Sequence, residues 1–434
     1  MLDFDARGQP VVPPADRPGK VVLAMSGGVD SSVAAALLQA RGHDVVGVFM
    51  RHGGTDEYAV SSCESGACEQ EGAPASTPDA RTLALPQARP AKPHKQGCCS
   101  VNDADDARLV AAMLDIPLYV LNFEKDFDRI IDYFVSEYNA GRTPNPCVRC
   151  NDWLKFGRLF DYADSIDADY VATGHYARVA RSLGPNPPGP PSPVTGHRSP
   201  ASPTPDPRLP TPALLTGLDP AKDQSYVLFG TRPDRLARML LPIGELTKDT
   251  TRRLAEAWKL PVFNKPDSQE ICFVPDRDYA GLVRRRSPGR VHEGEIRDRH
   301  GRTLGSHPGQ QHFTLGQRRG LGLSHPTPLY VIDKNPDTNV VTVGSKDDLR
   351  ATRCAADETN WLVTPPADWT DCHLKIRYNS PPVPGRVRAT APDALEAEFT
   401  HPVEAVTPGQ AIVCYDGHTV LGGGWIKGHE RGEG

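Results

Sequence analysis

The chain has 434 residues and a mass of 47.1 kDa, too long for one compact core and long enough for two or three domains. Its 43 prolines and 39 glycines exceed ordinary globular use, yet they are too few and too aperiodic for a collagen or a wholly disordered chain, so the excess belongs in loops. Forty-nine basic against 54 acidic residues leave a net charge of −5, which excludes a protein that coats nucleic acid through bulk charge but not one with a local basic face.

From the N-terminus, residues 20–25 form a short β-rich apolar run, SGGVDSS is a glycine turn, Val33–Arg41 is a helix closed by Gly42, and Val45–Met50 is a second strand. Strand, loop, helix and parallel strand make one βαβ unit. Asn102 caps a helix over Asp103–Leu114, and Leu118–Phe123 reads as a buried strand. Helices follow over Phe127–Ala140 and Asp152–Ala163, then a strand at Tyr170–Ala172. The alternation predicts a doubly wound α/β domain over 18–215. Two inserts interrupt it. Residues 53–97 carry five prolines, and residues 183–212 carry twelve prolines in thirty positions; both read as loops or disorder. Residues 216–290 read as a small, mostly helical central domain, with Thr247 capping Lys248–Lys259. From 291 to 434, short alternating runs such as Leu329–Ile332, Val340–Val343, His373–Tyr378 and Ala411–Tyr415 predict a small β-barrel or sandwich.

No apolar stretch approaches the roughly 18–20 residues of a membrane span, and the charged, proline-bearing start is not a secretory signal. The chain is expected to be cytoplasmic, so its ten cysteines are better candidates for catalysis or metal than for disulfide staples.

Ser26, Gly27, Gly28, Val29, Asp30, Ser31 and Ser32 follow a strand and open a helix. Such glycines let backbone N–H groups approach phosphate oxygens, the helix start adds favourable partial charge, and Asp30 can hold Mg²⁺ among the phosphates. The lysine of a Walker A loop is missing. The loop resembles the PP-loop of N-type ATP pyrophosphatases, which split ATP between the α and β phosphates and transfer AMP to an oxygen.

The thiols allow two readings. Cys150 follows a proline-stiffened loop and precedes the helix expected at 152, where the helix start and Arg149 favour a reactive thiolate. Cys272, in an apolar flank, reads alone as an inert core cysteine as readily as a functional one. Alternatively Cys147 and Cys150 join Cys63 and Cys68, or Cys98 and Cys99, around zinc or an iron–sulfur cluster. Cys354, Cys372 and Cys414 are expected to be structural. Seven arginines against three acids over 284–302 fit either a solvated face or a track for phosphates.

Taken in order, AMSGGVDSSVAAALL (24–38), GVFM (47–50), GRTPNPCVRCN (141–151), ATGHYAR (172–178), KDQSYVLF (222–229), DSQEICFV (267–274), TLGQRRGLG (314–322), KIRY (375–378), AVTPGQ (405–410) and LGGGWI (421–426) resemble the tRNA-specific 2-thiouridylase family over nearly the whole chain. The resemblance implies a PP-loop domain, a small central domain and a C-terminal β-barrel. It implies ATP-dependent replacement of the C2 oxygen of the tRNA wobble uridine by sulfur, through adenylation of that oxygen. ATP would sit on Ala24, Met25, Ser26, Gly27, Gly28, Val29, Asp30 and Ser31, with Met50 and Gly174 on the adenosine side. Sulfur would arrive as a persulfide on Cys272, with Cys150 as its thiol partner. The tRNA would meet Asn145, Pro146 and Cys147 around a flipped base, and His175, Lys222, Asp223, Gln224, Arg377, Tyr378 and Gln410 elsewhere. Implied partners are the tRNAs for Lys, Glu and Gln and a sulfur donor such as a cysteine desulfurase or sulfur-relay protein. No residues are assigned to a resident metal. Many family members carry Asp where this chain has Cys147, so an acid–base role at 147 is not carried over, and a Cys147–Cys150 pairing becomes chemically available. Two alternatives remain: a PP-loop ligase acting on a small substrate, which needs no redox thiols, and an iron–sulfur-dependent tRNA thiolase. A nonenzymatic RNA binder would lack tRNA-dependent conversion of ATP to AMP.

Overall fold

The structure is a computed structural model that describes residues 3–5, 10–51, 101–180, 212–267, 271–274 and 277–431. The two inserts, and with them Cys63, Cys68, Cys98 and Cys99, lie almost wholly or wholly outside these residues, as do Ser268–Glu270.

Five parallel strands form the nucleotide-type sheet in the spatial order Leu118–Asn122, Asp44–Arg51, Lys20–Ala24, Tyr170–Ala172, Met239–Leu240. The chain winds outward from Lys20–Ala24 first to one side and then to the other. The central strand and its Tyr170–Ala172 neighbour therefore bound the crevice where open α/β sheets bind ligands, at their carboxyl ends. The Leu118–Asn122 strand is the edge, not a buried strand: Tyr119 is 51% exposed and Val120 40%. Helices Val29–Ala40, Val101–Met113 and Lys248–Ala257 contribute to one core, with Leu23, Leu37, Val110 and Leu254 among its buried members. Asn102 falls inside the first turn of its helix rather than capping it, whereas Thr247 does cap, its side chain accepting from the Thr250 N–H.

The helix expected at 152 starts earlier. A continuous helical segment runs Pro146–Ser165, π-wound over Cys150–Arg158, with Pro146 at the position where its missing N–H is harmless. Residues 225–240, read from sequence as part of a separate helical unit, pack into the second core beside this segment. Tyr226, Leu228, Phe229, Leu236 and Met239 join Phe156, Phe160 and Val171 there.

Beyond 291 the strands fall into two sheets rather than one. Gly294–Asp298, Thr303–His307, Tyr330–Asn335 and Val340–Gly344 make a four-stranded sheet with its own core of Ile296, Phe313, Val331 and Val341. Arg350–Trp361, Thr370–Lys375, Val383–Ala391, Ala394–Glu404, Ala411–Asp416 and Thr419–Arg431 close a six-stranded barrel, the first strand pairing with the last. The barrel is not a detached module. Leu362, Val413, Tyr415 and Trp425 share the second core, and a hairpin of Ala177–Ala180 with Ala213–Thr216 extends the barrel sheet from the α/β domain.

Candidate active site

The glycine loop turns at Gly27, whose φ of +69° suits glycine, and a Cβ there would lie 2.0 Å from the Asp103 carbonyl oxygen. The helix begins at Val29, four residues before the sequence suggested, so Asp30, Ser31 and Ser32 lie in its first turn. Ser31 Oγ accepts from the Ser26 N–H at 3.2 Å and lies 3.2 Å from Ser26 Oγ, and Ser32 Oγ donates to the Gly28 carbonyl at 2.8 Å. Ser26 is exposed at the mouth, while Ala24, Met25 and Val29 are buried and can contribute only through the backbone. Gly174 closes the opposite wall: a Cβ there would stand 2.8 Å from the Asp30 carbonyl carbon and the Ser31 nitrogen.

Asp30 does not present an open carboxylate. Lys248 Nζ donates to its two oxygens at 2.8 and 3.0 Å, and the Tyr176 hydroxyl donates to Oδ1 at 2.8 Å. Lys248 Nζ also lies 2.7 Å from Asp267 Oδ1, and Asp267 in turn takes Lys222 at 2.8 Å and Arg252 at 3.1 Å. Burial works against ionisation of Asp267, but Lys222 and Lys248 outweigh it and hold the carboxyl below its usual range. Lys265 Nζ donates to the Gly27 carbonyl at 2.9 Å and to Asp103 and Asp106 at 2.6 and 2.5 Å. Lys248 and Lys265 thus reach the glycine loop directly, and Lys222 and Arg252 join them through Asp267. Of these, only Lys222 was singled out from sequence, and there as a tRNA contact. The available signals were Lys248 directly behind a cap and Lys265-Pro266-Asp267 opening the DSQEICFV stretch.

On the neighbouring strand end, Met50, Cys150 and Cys272 pack against one apolar cluster of Phe123, Phe127 and Leu154. Both thiols are half-buried, so the two cysteines, 122 positions apart in sequence, share a neighbourhood beside the strand that carries Met50. Cys150 sits in the second turn of its helical segment, not at its start; Cys147, exposed, occupies the first. Arg149 is engaged with the barrel and the aromatic rings around it. Its guanidinium makes two bonds to Glu358 at 2.8 and 2.9 Å and stacks over Trp425 at 4.1 Å, Tyr133 at 4.9 Å and Trp153 at 5.1 Å. The Cys354, Cys372 and Cys414 thiols are buried in the barrel core, where burial pushes Cys354 up to about 12. Among the described residues no three Cys, His, Asp or Glu side chains are grouped to hold a metal ion.

The proposed tRNA-facing residues divide into two sets. Asn145, Cys147, Gln224 and Tyr378 gather around buried Tyr226, which donates to the Ala411 carbonyl at 2.9 Å. Burial, with the charges of Asp223 and Cys147, pushes Tyr378 up to about 12. Lys375 lies 5.9 and 5.8 Å from the Tyr226 and Tyr378 ring centres and 3.8 Å from Asp223. The others, together with Gln224, brace the site. Gln224 receives the Tyr176 N–H at 2.8 Å, and Asp223 accepts from the Gly217 and Ser225 N–H groups. Gln410 donates to the Thr143 carbonyl at 2.8 Å, holding the loop before buried Pro146, and Arg377 donates to the Glu404 and Ala405 carbonyls. His175 is buried, 2.7 Å from Thr173 Oγ1, and burial with the Lys155 charge holds its pKa well below the ordinary value, so it is neutral.

Three domain families match consecutive parts of the chain: a tRNA methyl transferase HUP domain over 19–86 and 80–276, a tRNA methyl transferase PRC-barrel domain over 285–345, and an aminomethyltransferase β-barrel domain over 351–426. A protein of Rhodopirellula baltica named tRNA-specific 2-thiouridylase MnmA is 46% identical over 415 residues, spanning 94% of this chain and 96% of that one. Proteins of the same name from Geotalea uraniireducens and Desulforamulus reducens are 42% and 39% identical, each over 94% of this chain and over 95% and 97% of their own. The chain belongs to the tRNA-specific 2-thiouridylase family. In this 2-thiouridylase the HUP match spans the parallel sheet, and the second and third matches coincide with the separate four-stranded sheet and the closed barrel. Among its described residues no helix is long and apolar enough to cross a membrane.

Proposed function

We propose that this protein is a tRNA-uridine 2-sulfurtransferase that converts the wobble uridine of tRNA to 2-thiouridine, with ATP as the activating substrate. The observation that carries the reading is the common packing of Met50, Cys150 and Cys272 at the end of the strand paired with the one that leads into the glycine loop. A glycine loop without a Walker lysine, with two thiols on one apolar cluster at the neighbouring strand, favours this chemistry over the methyl transfer named in two of the domain descriptions.

The C2 oxygen of uridine is a poor leaving group. Adenylation makes it depart as AMP, and diphosphate leaves in the preceding step. The glycine loop and the Val29–Ala40 helix start bind the phosphates through backbone N–H groups. Lys248 and Lys222 exchange their carboxylate partners for the diphosphate oxygens. Mg²⁺ would enter with ATP, and Asp30, released as Lys248 moves to the diphosphate, is the carboxylate that would hold it among the phosphates. No step runs through an iron–sulfur cluster. Asn145, Gln224 and Tyr378, backed by buried Tyr226, form the pocket for the extruded base, with the Tyr378 ring as the face on which a pyrimidine can stack.

Sulfur reaches the base as the outer atom of a Cys272 persulfide. In one order it attacks C2, AMP leaves, and Cys150 then attacks the inner sulfur to release the thiolated base. In the other, Cys150 attacks first and the hydrosulfide released attacks C2. Either order leaves a Cys150–Cys272 disulfide. The tRNAs for Lys, Glu and Gln are the proposed substrates, and a cysteine desulfurase or sulfur-relay protein the donor.

The test is a reconstituted reaction with ATP, tRNA and a persulfide source, reading AMP and 2-thiouridine separately by mass spectrometry. Cys150→Ala and Cys272→Ala should abolish 2-thiouridine while adenylation, read as release of diphosphate, persists. ATP turnover left intact in both variants, with no 2-thiouridine formed even by the wild type, would instead favour a ligase-type enzyme acting on a small substrate.

A further inference from the structure

We propose that Cys147 is a third redox thiol of this enzyme, which takes over the disulfide left on Cys150 and Cys272 and presents it at the protein surface. The inference rests on the sulfur transfer proposed above. Each turnover moves two electrons from the Cys150 and Cys272 thiols to the transferred sulfur, so the next turnover cannot begin until an external reductant returns them. Thiol–disulfide exchange needs the attacking thiolate to reach a sulfur in line with the S–S bond, and a half-buried disulfide resists a bulky reductant.

Cys150 and Cys272 both lie against the Phe123, Phe127 and Leu154 cluster, partly withdrawn from solvent, whereas Cys147 is exposed. Cys147 and Cys150 stand three residues apart on one helical segment, where the Cys150 N–H bonds to the Cys147 carbonyl. Residues at this spacing lie on one face with Cβ atoms about 5–6 Å apart, within a modest adjustment of disulfide reach. The three sulfurs are not grouped as a metal-binding set. A shared ion would need such a grouping; exchange through Cys150 needs only successive neighbours, Cys272 with Cys150 and then Cys150 with Cys147.

The step balances. The Cys147 thiol gives its proton to solvent, and the thiolate attacks Cys150 Sγ. The Cys150–Cys272 bond breaks as the Cys147–Cys150 bond forms, and the electron pair leaves on Cys272, which regains a proton. Cys272 is then ready for its next persulfide sulfur. A dithiol reductant, itself oxidised to a disulfide, reduces the exposed Cys147–Cys150 pair.

The test is a single turnover of full-length enzyme carrying a Cys272 persulfide, with ATP and tRNA and without reductant, quenched at intervals by alkylation and mapped as non-reduced peptides. Cys150–Cys272 should appear first and Cys147–Cys150 should replace it. Cys147→Ser should stop at Cys150–Cys272, and its steady-state rate with a protein dithiol should fall about tenfold below its rate with a small phosphine, a gap that the wild type does not show. A wild-type enzyme that ends as Cys150–Cys272 alone, or a Cys147→Ser variant with no such gap, overturns the relay. Formation of 2-thiouridine without any Cys150–Cys272 disulfide overturns the sulfur-transfer scheme beneath it, which separates the two failures.

Discussion

Lys248 and Asp30, 218 positions apart, are joined by two hydrogen bonds of 2.8 and 3.0 Å across the mouth of the glycine loop. The lysine also reaches Asp267 and is only 10% exposed, so it is held almost out of solvent between two carboxylates. Under the proposed function it stands in for the lysine that the loop lacks. Lys248→Met should therefore lower tRNA-dependent AMP formation by about 100-fold or more, the scale of losing one preorganised charge at a transition state, while tRNA affinity changes little. Asp30→Asn should impair adenylation in the same direction. Equal loss of AMP formation and of tRNA binding in a filter assay would contradict this division of labour.

Arg149 and Glu358 tie the α/β domain to the barrel. The arginine side chain is 8% exposed and boxed by Tyr133, Trp153 and Trp425, while Glu358 is 61% exposed. Most of the stabilisation must then come from the ring contacts, because an ion pair with one solvated partner contributes little. Arg149→Ala should cost about 2–4 kcal/mol by opening the box, and Glu358→Gln less than about 1 kcal/mol. Urea denaturation of the two variants measures both. Equal losses would show that the ion pair, not the stacking, holds the barrel in place.

The glycine loop was legible from sequence because strand, turn and helix are local and the residue types state their purpose. The true start of its helix was missed by four residues, since the serines that looked like caps lie within the first turn. Pro146 marked the real beginning of the cysteine helix, a signal available to a stricter reading of proline at a first helical position. The cationic cluster was not legible. Nothing in the spacing of Lys222, Lys248 and Lys265 tells that three separate segments fold back onto one loop. Likewise nothing in the sequence tells that Gln410 and Arg377 donate to the chain's own carbonyls.

Ala180 and Ala213 are direct partners in an antiparallel pair, so the ends of the proline-rich insert meet across one hairpin. The strands on either side are held by that pairing and by the Leu215–Thr419 contact with the barrel. Lengthening a loop adds only a slowly growing closure cost, and shortening it to a hairpin turn removes that cost. Replacing residues 183–212 with Asn-Gly, which leaves a four-residue connection with Arg181 and Ser182, should preserve both the far-ultraviolet circular dichroism and the rate of tRNA thiolation. Insoluble or unfolded product would show that the segment does more than connect the two strands.

Lys334 is a buried amine in the four-stranded sheet, donating to the Phe313 carbonyl at 2.8 Å and lying 5.8 Å from the Tyr138 ring centre. Burial, opposed only in part by Asp333, brings its pKa down to about 7. In the unfolded chain a lysine keeps its proton to about pH 10.4. Between these two values the unfolded state binds one proton more than the folded state, so stability rises with pH through that window. Below pH 7 both states are protonated and the folded state bears the full cost of a buried charge. Lys334→Met removes this dependence along with the hydrogen bond. The melting temperature of the wild type should therefore climb relative to that of Lys334→Met between pH 7 and pH 9, and the difference should be flat below pH 6. A difference that stays flat over pH 7–9 would mean that the amine stays charged when folded, and that its contact with the Phe313 carbonyl suffices to hold the proton.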